Sequence, residues 1–211
     1  MKKRYAVGLA LVLAGVLSGC GQTKAPAETQ AEDNTISIAP VEQTDADKSG
    51  KLIEYDFSGH KTDANGVEFS CYTWNGSEWK KDDGGVSGLY AQELGSSEGT
   101  IKFERDGDAE NADYIIEVDS PEFGGSTQTA DAPERTSLPE EGLKASVAVQ
   151  ENAIDDLAVG TEIPLLVRVF STDGTAASVS LDAFSDPENS EAVKNSAYAE
   201  VYTVTFCHQE V

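Results

Sequence analysis

GVEFSCYTWNGSEWKK, residues 66–81, decides the reading of the fold, because large apolar side chains fall on both faces of an extended chain. Val67, Phe69 and Cys71 share one face, and Tyr72 and Trp74 lie on the other. A strand with two faces to bury is central, or changes sheets. Asn75-Gly76 is the strongest hairpin signal in the chain, since the tightest hairpin turn needs positive φ at both central residues. A two-residue turn sets Trp74 against Ser77 and Tyr72 against Trp79, so that three aromatic rings share one face. The Asn75-Gly76-Ser77 triplet, which also matches a glycosylation acceptor, is read as that turn.

Working outward, segments rich in Val, Ile, Tyr, Phe and Thr recur between Gly, Asp and Asn clusters around 52–57, 77–81, 86–93, 99–105, 113–119, 143–150, 163–171, 175–182 and 198–207. Short strands at that spacing predict an all-β fold, an antiparallel β-sandwich of immunoglobulin-like or jelly-roll-like form. In LLVRVFSTDGTAASVSLD, residues 165–182, a three-residue loop Thr172-Asp173-Gly174 pairs Ser171 with Thr175. Leu165, Val167 and Val169 then face Ala177, Val179 and Leu181, and Arg168 points outward with Ser178 and Ser180. Asp186-Pro187-Glu188 places a capping carboxylate before a first-turn proline and predicts one short crossover helix. Proline and glycine breakers make residues 120–142 a long loop.

The chain opens MKKRYAVGLALVLAGVLSGC: Lys2, Lys3 and Arg4, an apolar run from Ala6 to Val16, then Leu17-Ser18-Gly19-Cys20. The run has signal-peptide length and is short for a membrane-spanning helix. Its ending resembles the lipobox of bacterial lipoproteins, over these twenty residues alone. The resemblance implies cleavage after residue 19, a diacylglyceryl group on the Cys20 thiol, and a protein lipid-anchored to a cell membrane on its extracytoplasmic face. Two or three acyl chains hold a soluble domain there, at about 0.8 kcal/mol per buried methylene. Residues 20–50 carry only Ile36, Ile38 and Val41 as large apolar side chains and read as a flexible acidic tether, leaving 51–211 as a single sandwich domain.

The whole chain has 15 basic against 38 acidic residues, a net charge of −23. Removing residues 1–19 takes three cations and no acid, which leaves 12 against 38, or −26. So acidic a chain is repelled by nucleic acid and by anionic head groups, which excludes nucleic acid as a partner. The partners that fit are the membrane, through the lipid, and a cell-surface glycan or protein.

Tyr72, Trp74 and Trp79 are the candidate ligand-binding residues, because a flat aromatic face with polar tips suits a sugar. The same rings would also serve to fill the sandwich interior. Asp106, Asp108 and Glu110, with Glu117 at the twelfth position, are weakly similar to a Ca²⁺ loop. That pattern lacks the turn glycine, which Asn111 replaces, and Glu117 falls in an alternating strand. No other cofactor is indicated. Once Cys20 is lipidated, Cys71 and Cys207 remain, either as a disulfide or as two buried thiols. With only His60 and His208, a zinc site is not expected.

Gly95-Ser96-Ser97-Glu98-Gly99 matches G-x-S-x-G as a string but runs into the predicted 99–105 strand and not into a helix, so it is no nucleophile elbow, and no H-E-x-x-H helix, phosphate-cradling loop or dinucleotide fingerprint occurs. The expectation is therefore a non-enzymatic lipoprotein acting as a surface binding or accessory interaction module. The alternatives are a carbohydrate-recognition module using the aromatic face and an exported hydrolase using paired carboxylates.

Overall fold

Strands form where inward and outward side chains alternate: β1 (Thr35–Pro40), β2 (Leu52–His60), β3 (Gly66–Trp74), β4 (Trp79–Lys81), β5 (Glu98–Arg105), β6 (Tyr114–Ser120), β7 (Gly124–Ala130), β8 (Lys144–Val149), β9 (Ile154–Ala158), β10 (Glu162–Ser171) and β11 (Tyr198–Cys207). A computed structural model describes residues 34–41, 51–82, 98–105, 114–120, 124–130, 144–172 and 178–208. The strands make a six-stranded sheet in the order β7-β6-β5-β2-β1-β9 and a five-stranded sheet in the order β4-β3-β11-β10-β8. Every pairing is antiparallel. The all-β sandwich is thus the fold.

One core joins the sheets. Ile53, Tyr55, Phe57, Ile101 and Phe103 of the first meet Val67, Phe69, Val204 and Phe206 of the second, all buried. The Phe57 and Phe206 rings lie 5.3 Å apart and the Phe69 and Phe103 rings 5.5 Å, the latter edge to face. Packing is tight enough to dictate Gly99. A Cβ there would sit 2.5 Å from both the Phe57 ring and the Asp119 carbonyl oxygen, so only glycine lets β5 lie beside that ring. Tyr55 satisfies its buried hydroxyl by donating to the Leu165 carbonyl across the sandwich, at 3.0 Å.

A second, smaller core lies on the outer face of the second sheet. Val167, Val169, Ala199 and Val201 are covered there by Ala183, Ala192 and Val193 of the β10–β11 crossover. The crossover holds the expected short helix, α1 (Glu191–Lys194). Its cap is Ser190, whose hydroxyl accepts from the Val193 N–H, and not Asp186, whose carboxylate takes the Asn189 side-chain amide at 2.7 Å.

Four expectations are corrected. The tether does not extend to residue 50, because β1 runs between β2 and β9 with Ile36 and Ile38 each 1 % exposed. Two alternating isoleucines suffice for a strand paired on both sides, although the segment's mean composition is polar. The predicted loop 120–142 contains β7, which pairs with β6 along its length.

The turn after β3 has four residues rather than two, so Trp74 pairs with Trp79 and Tyr72 with Lys81. The Asn75 carboxamide oxygen accepts from the backbone N–H groups of Ser77 and Glu78, at 2.9 Å each, and Gly76 takes φ +99°. Side-chain capping of this kind lengthens the loop beyond the minimal turn.

The predicted 165–182 hairpin does not form. β10 pairs with β11 and β8, and residues 178–180 are not a strand. A bulge between Pro164 and Leu166 puts both Leu165 and Leu166 in the inner core and reverses the phase beyond them. Val167 and Val169 then face outward under the crossover, while Arg168 points inward and is 0 % exposed. Glu200, also 0 % exposed, lies directly opposite on β11 and meets the guanidinium at 3.0 Å. The predicted strand at 86–93 lies outside the described residues.

Candidate functional site

Tyr72 and Trp74 of β3 and Trp79 of β4 share one face, as their parity requires, and that face is the outer side of the second sheet. All three are half-buried against the crossover. The Trp79 indole N–H donates to the Ala183 carbonyl at 3.0 Å. Phe184 packs against the rings of Tyr72 at 5.1 Å and Trp79 at 6.2 Å. Trp74 and Trp79 meet edge to face, 5.4 Å apart at 64°. The rings therefore interlock with each other and with the crossover, and they make no coplanar platform of the sort on which a sugar stacks.

A carboxylate that sequence reasoning missed completes this cluster. The Tyr72 hydroxyl donates to the Glu162 carboxylate, 2.9 and 3.0 Å from its two oxygens, and the Thr203 hydroxyl donates to Glu162 Oε1 at 2.6 Å. Lys81 lies 6.0 Å from the centre of the Tyr72 ring and pairs with Glu68 at 3.2 Å. Burial, then the hydrogen bond to Glu162, push the Tyr72 phenol up to about 12. Ionising it would set a phenolate against a carboxylate. Glu162 stands 90 residues from Tyr72 in the chain, and no local pattern marks it.

A hollow lies on the outer face of the first sheet. It spans about 490 Å³ over Ser37, Ala39, Ser58 and Thr100, whose small side chains leave the space, and Asp56, Glu98 and Asp119 stand around it. Among the described residues the lining carries three carboxylates and no cationic side chain. The neighbouring Lys102 is engaged by Glu104 at 2.8 Å and Glu117 at 3.3 Å. Hydrogen bonding to Glu104, the larger effect, raises its pKa.

The cysteines do not form the disulfide considered from sequence. Neither is bridged by a disulfide: Cys71 faces Tyr202 and Cys207 faces Gly66 on the paired strands β3 and β11. Five strand positions separate them, roughly 16 Å at about 3.3 Å per residue, whereas a disulfide needs Cα atoms within about 7 Å. Burial raises the Cys207 thiol pKa, with Glu68 adding to it.

The His208 ring nitrogen Nδ1 lies 2.7 Å from the Asp63 carbonyl oxygen, to which it donates. Glu117 stands in β6, as its alternation indicates. Cys20, Asp106, Asp108 and Glu110 lie outside the described residues. Among the described residues no cluster of three or more His, Cys, Asp or Glu is placed to hold a metal ion, and no helix is long and apolar enough to cross a membrane. Comparison with protein-family models, curated proteins and solved structures finds no match.

Proposed function

We propose that this chain is a lipid-anchored lipoprotein on the extracytoplasmic face of a cell membrane, and that its sandwich is a non-enzymatic binding module. The first-sheet groove carries the reading. An open hollow floored by small side chains and bordered by Asp56, Glu98 and Asp119 is a surface for a cationic ligand. The lipobox supports the anchor. With β1 inside the domain, residues 21–33 are the stretch of sequence between Cys20 and the described sandwich.

Two experiments test this. Radiolabelled palmitate fed to expressing cells labels the protein and not Cys20→Ala, and the variant leaves the membrane fraction. An array of glycans and of neutral, acidic and basic polypeptides then reads the groove. Binding to basic polypeptides that falls at least tenfold in Asp56→Asn/Asp119→Asn supports the module. Glycan binding lost in Trp74→Ala would favour the aromatic face instead.

A further inference from the structure

Among the described residues the sheets end in four edges, β7 and β9 in the first and β4 and β8 in the second. An open edge offers its N–H and C=O groups to any extended chain, and proteins close such edges with charges, short length or irregular backbone. β4 has three residues, two of them lysine. β9 carries Asp155 and Asp156, the latter at φ +55°. β7 opens on two glycines.

β8, Lys144-Ala-Ser-Val-Ala-Val, has none of these protections. It is six residues long, without proline, charged only at its first position, and paired regularly with β10 throughout. Among the described residues it has no other strand partner. The Gln150 N–H donates to the Leu165 carbonyl on β10 at 3.0 Å. Ladder alternation then turns the backbone groups of Ala145, Val147 and Val149 toward the open side.

A second groove, of about 400 Å³, follows this edge from Val147 to Asn152, and Val179–Asp182 form its far wall. Val147, Val149, Val179 and Leu181 line it together with Gln150, Asn152 and Ser180, and among the described residues its charges are Glu151 and Asp182, both acidic. An extended segment whose cations reach Glu151 and Asp182 while its apolar side chains lie against Val179 and Leu181 fits that lining. A second copy of this chain fits poorly, since each copy carries 38 acids against 15 bases and the two repel.

We propose that the β8 edge is a strand-addition site that takes an extended, cationic polypeptide segment of a partner protein. It is distinct from the carboxylate groove, which lies on the other sheet. The test uses the mature chain from residue 20, with Cys20→Ser, and the synthetic peptide Lys-Val-Thr-Val-Arg-Val-Lys at millimolar concentration, followed by amide NMR. Two control peptides accompany it: one N-methylated at alternate residues, the other with glutamate at every basic position.

Expected are shifts at Ala145, Val147 and Val149, and at least tenfold weaker binding of both controls. Ser146→Lys, which adds a guarding charge, and Val147→Pro, which removes an outward N–H, abolish binding. The first keeps the fold testable if the proline variant does not fold. Unmoved 145–149 amides, equal binding of the N-methylated peptide, or shifts confined to residues 37–58 and 98–119 overturn the proposal. Concentration-dependent shifts at 145–149 without peptide would also overturn it, in favour of self-association.

Discussion

Breaking the buried ion pair between Arg168 and Glu200 tests how the sandwich interior is held. Both side chains are 0 % exposed and meet at 3.0 Å. The guanidinium also lies 4.8 Å from the Phe170 ring centre and 5.6 Å from that of Tyr114. At an effective dielectric of about 20, two such charges attract by about 4 kcal/mol, and losing one partner of a buried pair costs about 3–5 kcal/mol because the other charge stays desolvated. Glu200→Gln keeps the shape and the ring contacts of the cation. Arg168→Met leaves a carboxylate beside ring faces that repel it, and therefore costs more.

For a domain of this size each kcal/mol moves Tm by about 2–4 °C, so either single variant melts about 6–20 °C lower. Arg168→Met/Glu200→Leu, which leaves no charge to bury, returns to within about 2 kcal/mol of wild type or exceeds it. Urea unfolding of the wild type and the three variants completes the cycle. Single variants losing under about 1 kcal/mol, or a double variant losing the sum of the two, would refute the reasoning.

A chain starting at residue 31 unfolds cooperatively, whereas one starting at 51 does not. The latter loses Ile36 and Ile38, each worth about 2–5 kcal/mol when truncated in a core, together with a strand paired on both sides. Equal urea midpoints for the two chains would contradict the place given to β1. The Tyr72 phenol sits near 12 when folded and 10 when not, so its contribution is complete below pH 10 and is lost as pH rises toward 12. Tyr72→Phe flattens the fall in stability over that window, followed by circular dichroism, and Tyr55, also raised by burial, leaves a residual slope. The unlipidated mature chain with Cys20→Ser shows two free thiols in denaturant, Cys207 reacting before Cys71 in the native state. A mass two units below the reduced value would show a disulfide instead.

The limits of β3 and β11 were legible because each carries apolar side chains on both faces. β1 and β9 were not, since Thr-Ile-Ser-Ile-Ala-Pro and Ile-Asp-Asp-Leu-Ala offer two or three inward groups in a polar setting. Pairing with distant strands, absent from any local window, decides such cases. The Arg168 error has a similar source, as one bulged residue at Leu165 reverses the facing of all that follow. The shared face of Tyr72, Trp74 and Trp79 could be read from parity alone. Glu162 and the first-sheet groove could not, because the groove depends on small residues gathered from separate strands whose order is a long-range property.

The position of β11 sets the order in which this molecule can be completed. It is the middle strand of the second sheet, flanked by β3 and β10, and it follows every other described strand in the chain. A nascent chain that has reached residue 197 already contains β3, β4, β8 and β10, yet they remain two separate ribbons with nothing to join them. Tyr202, Val204 and Phe206, all within 2 % of full burial, arrive together with the missing backbone ladder. A product that stops short of residue 198 therefore exposes two adhesive margins and half an apolar core, which makes it a ready target for proteases. Closure of the second sheet thus waits on residues 198–207, however early its other strands are made.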